Sequence, residues 1–229
     1  MIYPRGRRVR FTRLIQVPVL VLVVIACGTA TTAMPASAAA ATAMLRAPES
    51  NPKYGGVLRW AGLADAPFFD LHQCDTAACA TPLEPMYDTL LRYNPLDGGK
   101  TVIPDLAYKW EVSSDGLTYT FHLRDGVTFH DGTALTADDV KTSFDHIIFP
   151  PPGILSPRKG VFDAVQAVKV VDPLTVQFSL SAPRSFFLEA IASGWNVIYR
   201  KQMLEDNHFD LRKLKVAPGT GPFIFDAYL

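Results

Sequence analysis

Three groups of residues in this chain carry side chains capable of chemistry. Cys74 and Cys79, with His72 just before them, offer two thiols and an imidazole, which are zinc-ligand types or the halves of a disulfide. Three ligands at irregular spacing with no second cluster make a poor tetrahedral site. A local disulfide is therefore expected, and no metal is assigned. His130-Asp131 sets an imidazole beside a carboxylate, but it sits among Asp-Gly turns with no nucleophile elbow in reach. No catalytic residue is assigned and no enzymatic activity is expected. His146 falls on a helical segment as a packing or surface residue. Trp195-Asn196, after Gly194, joins an aromatic ring to an amide, a pair able to hold an apolar group and a polar backbone together. The chain has no P-loop, no GxGxxG and no internal repeat, so no cofactor is assigned.

The address of the protein is written in its first 26 residues. Arg5, Arg7, Arg8, Arg10 and Arg13 form a basic head without acids, and an apolar run follows from Leu14 to Ala26. That run is too short to span a bilayer as a helix, and the pattern is that of a secretory signal peptide over residues 1–26. Two processing readings compete. Val24-Ile25-Ala26-Cys27 resembles a lipobox, which would leave Cys27 acylated and Cys74 and Cys79 free to pair; Ala36-Ser37-Ala38 is an ordinary A-x-A site. Without the five arginines, 17 basic residues face 22 acidic ones, so the exported chain has no electrostatic footprint for nucleic acid. Residues 27–53 are Ala/Thr-rich with prolines and no apolar period, a linker or lipid tether.

From residue 54 strand-like and helix-like segments alternate. Val57–Ala61 reads as a strand after a Gly pair. Pro82–Tyr93 places Leu83, Met86, Tyr87, Leu90 and Leu91 on one helical stripe, with Thr81 as N-cap. Residues 108–113 and 117–123 read as a β-hairpin, the second strand alternating Tyr119, Phe121 and Leu123 with polar residues. Val127–Phe129 follows as a short strand. Thr136 caps a helix with acids in its first turn that continues to Ile148. Residues 167–171 and 174–180 form another hairpin, Ser185 caps a short helix over 186–192, and 195–199 reads as a strand. Lys201 begins a helical turn. Gly219-Thr220-Gly221-Pro222-Phe223 is a glycine loop entering a strand, and a chain that stops inside an apolar strand is expected to be truncated.

Residues 104–140 carry a denser pattern: Pro104-Asp105-Leu106-Ala107, Trp110, Asp115-Gly116-Leu117-Thr118-Tyr119-Thr120-Phe121, Leu123-Arg124, Phe129-His130-Asp131-Gly132 and Asp139-Val140. This series resembles the signature of family 5 extracellular solute-binding proteins, receptors of peptide, dipeptide and nickel ABC importers. Gly55-Gly56-Val57-Leu58-Arg59 and the 219–223 loop resemble further parts of that family. The resemblance implies an α/β (mixed α+β), type II periplasmic-binding-protein-like fold. Residues 54–229 would be a truncated N-terminal lobe, lobe one only, with the second lobe missing. It implies a monomeric extracytoplasmic receptor that delivers peptides or similar small solutes to permease and ATPase subunits. A sensor of the same fold and an exported hydrolase are the alternatives. The implied cleft residues are Leu63, Ala64 and Asp65 in the loop after the first strand, then Trp195 and Asn196, and Thr220 in the glycine loop.

Overall fold

The computed structural model describes residues 51, 55–57, 59, 62, 64–215 and 217–227. The signal sequence, Cys27, almost all of the linker and Leu63 lie outside the described residues. In chain order the regular elements are α1 (Ala77–Leu83), β1 (Leu91–Tyr93), β2 (Val102–Pro104), β3 (Ala107–Val112), β4 (Thr118–Leu123), α2 (Ala137–Ile148), β5 (Val165–Asp172), β6 (Thr175–Leu180), α3 (Phe187–Ile191) and α4 (Lys201–Asp206).

Strands β3 to β6 form an antiparallel sheet in the order β3-β4-β6-β5, and β1 pairs with β2 apart from it. The period-two reading of β4 holds, since Tyr119, Phe121 and Leu123 are buried while the residues between them are half exposed. Register places Tyr119 opposite Phe178 and Phe121 opposite Val176, so both inner strands turn apolar side chains to one face. Helix α2 covers that face with Val140, Phe144 and Ile147, all fully buried. Its Phe144 ring meets Phe178 edge-on at 4.9 Å between centroids, and Phe178 meets Phe121 in the same way at 5.5 Å. The opposite face carries Lys109, Glu111, Thr120, His122 and Gln177, which need no cover.

The start of α2 is where sequence and structure agree best. Asp139 turns back to accept the Thr136 backbone N–H and hydroxyl, both at 2.8 Å, and its other oxygen accepts the Lys201 N–H at 2.8 Å. One buried carboxylate thus closes the first turn of α2 and seats the first turn of α4. Asp139→Ala leaves two backbone donors unpaired and is expected to cost about 2 kcal/mol. A denaturant titration would check it, and an unchanged midpoint would contradict this role.

A second apolar cluster gathers Leu71, Cys74, Cys79, Leu83, Met86, Tyr87, Val197, Tyr199, Leu204, Leu211 and Ala217. It is built from segments distant in sequence, and several of these are not the elements their patterns predict. The stripe over 82–93 is buried as predicted, but it is not one helix. Pro85 has no N–H to donate into the preceding turn, so α1 ends at Leu83 and a 3₁₀ turn spans Glu84–Met86. The chain is extended from Tyr87, and Leu91–Tyr93 pairs with β2. Thr81 is no N-cap. It lies inside α1, its hydroxyl donating to the Ala77 carbonyl at 2.7 Å.

Residues 195–199 form no strand, because their backbone bonds go elsewhere. Ser143 of α2 accepts the Tyr199 N–H at 2.9 Å and donates to the Tyr199 carbonyl at 3.1 Å, standing where a strand partner would. Val57 and Arg59 join no ladder, and Val57 is 81% exposed. The short strand at 127–129 is reduced to a single bridge between Thr128 and Ala134. Phe186, not Ser185, precedes α3, without a side-chain cap. Residues 223–227 are not a strand either; Gly221 and Phe223 instead donate to the Met86 and Pro85 carbonyls at 3.0 and 3.2 Å.

Candidate functional site

Ser193 to Asn196 is a tight turn, closed by the Asn196 N–H donating to the Ser193 carbonyl at 2.9 Å. Gly194 lets the Glu84 carboxylate lie close over the turn; a Cβ there would stand 2.8 Å from its Oε1 and push that side chain aside. The turn presents Trp195, half-buried, to a cavity of about 510 Å³ that is also lined by Glu84, Tyr87, Asp88, Arg92 and Asp105. Burial raises the Glu84 carboxyl above its ordinary range. It does the same for Asp105, where the nearby Asp88 charge adds to the effect. Three carboxylates and one guanidinium beside an indole suit a small solute with an amine or other cationic end.

Asn196 faces the other way. It is buried, its amide donates to the Ala190 carbonyl at 2.7 Å, and it borders a separate cavity of about 340 Å³ beside Tyr93, Phe162 and Phe186. Ala64 and Asp65 border a third space, of about 300 Å³, with Phe69, Ala78, Met86 and Phe225. The residues between 83 and 87 divide these spaces: Leu83 and Met86 line the third, Glu84 and Tyr87 the first. Thr220 lies in the glycine loop, its hydroxyl oxygen buried without a hydrogen-bond partner. The described cleft residues are therefore spread over three concavities and one loop; only Ala64 and Asp65 share a space.

His130 and Asp131 do not work as a pair. His130 Nδ1 accepts the Gly219 N–H at 3.2 Å, so its Nε2–H donates to the Gly221 carbonyl at 2.8 Å. Asp131 pairs with Arg200 at 2.6 Å. Both ring nitrogens are committed to fixing the glycine loop, and no proton passes between the two residues.

A polar assembly is buried behind Trp195. Cys74 and Cys79 are joined by a disulfide, and the turn leading into it is held from several sides. Asp70, fully buried, accepts the His72 N–H at 2.9 Å and the Gln73 amide at 2.8 Å. The Tyr199 hydroxyl accepts the Leu71 N–H at 2.9 Å. His72 Nε2 lies 2.9 Å from the Val197 carbonyl and must carry the proton, so its Nδ1 accepts from Nδ1–H of His146, also at 2.9 Å. Burial holds the His72 imidazole well below its ordinary pKa, and the neighbouring His146 and Arg158 charges act in the same direction. Burial lowers His146 too, against the Asp70 and Asp210 charges. Among the described residues no three His, Cys, Asp or Glu side chains are grouped to hold a metal. Arg158, Tyr199 and Asp70 carry no motif, and sequence spacing offers no signal for their meeting.

Comparison with known proteins adds a consistent set of likenesses. The family model described as bacterial extracellular solute-binding proteins, family 5 Middle, matches residues 101–228. Di/tripeptide-binding protein 4 of Pseudomonas aeruginosa (strain UCBPP-PA14) is 36% identical over 70% of this chain and 33% of its own length. The dipeptide-binding protein of Escherichia coli (strain K12) is 38% identical over 63% of this chain and 30% of its own length. Among solved structures, the periplasmic binding protein DppA from Helicobacter pylori, in complex with the peptide STSA, superposes with a TM-score of 0.62. It is 29% identical over 72% of this chain and 36% of that one. The chain thus spans about a third of the length of the curated relatives it matches, and its mixed α/β architecture is that of one lobe of a periplasmic binding protein.

Proposed function

The chain belongs to the family 5 bacterial extracellular solute-binding proteins, and from that premise we propose that it forms part of a receptor for di- or tripeptides or similar small solutes. The match over residues 101–228 carries this reading. The cavity at Trp195 supports it, because an indole edged by Glu84, Asp88 and Asp105 offers an apolar wall and carboxylates for a peptide ammonium. In this reading residues 1–26 direct export, residues 27–53 tether the folded part, and Cys27 carries lipid if the lipobox is used. The receptor works outside the cytoplasm and hands its solute to an ABC importer. Ala64 and Asp65 line a neighbouring space beyond the 83–87 segment, Thr220 belongs to the glycine loop packed on that segment, Asn196 backs the Trp195 turn, and no residue acts as a catalyst.

Calorimetric titration with a panel of di- and tripeptides tests the substrate class. Saturable heat with a Kd of about 1 mM or tighter is expected for several of them. A panel that gives no heat, beside a sugar or free metal ion that does, would overturn the peptide assignment.

A further inference from the structure

We propose that Arg158 is the positioning residue of the Trp195 subsite, coupling the orientation of the indole to the disulfide-closed turn at residues 70–79. This inference rests on the solute-receptor reading and deepens it.

Three observations carry it. First, Arg158 Nη2 stands within 2.5, 2.9 and 2.9 Å of the carbonyl oxygens of Leu71, His72 and Cys74. Three carbonyl dipoles aimed at one point repel each other unless positive charge sits there, and the guanidinium supplies it. Second, the central carbon of the same guanidinium lies over the Trp195 ring, 4.9 Å from its centroid. A guanidinium spreads its charge over a plane that can face an indole while its edge donates hydrogen bonds; an ammonium is a compact point charge that must divide one nitrogen between ring and carbonyls. Third, the partners of Arg158 are themselves fixed. The turn is held by the disulfide, the Asp70 carboxylate, the Tyr199 hydroxyl and the His72–Val197 bond. The 193–196 turn is held by its own backbone bond and by the Asn196 amide.

The 70–79 turn is thus tied to Val197 and Tyr199, just beyond the 193–196 turn, and Arg158 adds the link that runs through the indole face. Loss of Arg158 frees the ring and removes the charge from the three carbonyls, while the disulfide and the Asp70 bonds still hold the turn. A solute that packs on the exposed part of Trp195 then meets a ring with several orientations and must order it on binding, which weakens affinity. Lysine at 158 keeps the charge near the carbonyls and loses the broad planar group over the ring. It separates the clamp from the positioning.

The test uses the full chain with Trp60 and Trp110 replaced by phenylalanine, so that Trp195 is the sole emitter. Acrylamide quenching and dialanine titration are compared for the parent, Arg158→Lys and Arg158→Gln, with circular dichroism as the check on folding. For Arg158→Lys, quenching of Trp195 is expected to rise about twofold and dialanine affinity to fall about tenfold, with the circular dichroism unchanged. Arg158→Gln is expected to behave alike; should it fail to fold, Arg158→Lys alone decides. Quenching unchanged in Arg158→Lys would overturn the proposal, as would dialanine affinity equal to that of the parent. If the parent itself binds no dialanine, the peptide reading is at fault. The quenching comparison then still decides the role of Arg158, because it needs no ligand.

Discussion

Replacing Gly221 with alanine is expected to destabilise the protein by about 3 kcal/mol or more, enough to lower the thermal midpoint by roughly 6–12 °C. The reason is proximity, not backbone freedom. A Cβ at Gly221 would fall 2.6 Å from the Met86 carbonyl carbon, 2.6 Å from the Tyr87 nitrogen and 2.8 Å from the Pro85 oxygen. All three are backbone atoms and cannot swing aside. The glycine loop lies flat on the 85–87 turn, bonded through Gly221 N–H to the Met86 carbonyl and clasped from the other side by His130. Gly219 is as tightly placed, its Cβ position colliding with the Met86 carbonyl and 2.6 Å from the Tyr87 ring. Gly126 is the control. It needs a positive φ of 74°, yet nothing lies within 4 Å of its Cβ position. Gly126→Ala should cost only about 1 kcal/mol, the strain of an L-residue in the left-handed region. Equal losses at 221 and 126 would show that steric contact is not what the loop requires.

Stability should also fall steeply as pH drops below about 6.5. The two buried imidazoles, His72 and His146, both have lowered pKa values in the folded protein. A histidine that resists protonation when folded binds more protons when unfolded. Its contribution is complete above the unfolded pKa near 6.5 and is lost as pH falls toward the folded value. His72, held neutral by burial in the folded chain, is the larger source of this loss. Protonating His72 at Nδ1 would also set two Nδ1–H groups against each other at 2.9 Å. The facing groups are Asp70 and Arg158 for His72, with Tyr199 packed on its ring, and Asp70 and Asp210 for His146. The raised carboxyls of Glu84 and Asp105 act in the opposite sense, since the folded protein holds their protons more readily. Urea midpoints at pH 7.5 and pH 5 for the parent and for His72→Gln with His146→Gln would isolate the pair. The parent should lose more than the double variant; parallel losses would mean that the imidazoles titrate as in open chain.

Much of the molecule was legible before its structure. The signature at 104–140, the two hairpins, the Thr136 start of α2 and the period of two along β4 and β6 all follow from local rules, and the fold and family they pointed to stand. The 82–93 stripe shows where such rules fail. Leu83, Met86, Tyr87, Leu90 and Leu91 are all buried, but the first three belong to one apolar cluster and the last two to the other. Periodicity reports which side chains leave water. It does not report whether one helix or a turn and a strand carries them there, and Pro85 decided that.

The sequence by itself determined the family, the sheet with its covering helix and the local ring of Cys74 and Cys79, because each depends on residues near one another in the chain. Tertiary structure alone decided what surrounds Trp195 and what lies behind it. His72, His146, Arg158 and Tyr199 come from four separate segments and meet only because burial leaves each polar atom to find a partner wherever the packed chain offers one. His130 carries the same lesson. Beside Asp131 it reads as half of a dyad, and in the folded chain it is spent on a glycine loop some ninety residues away, because that loop's backbone polar groups needed a partner that adjacency in sequence does not reveal.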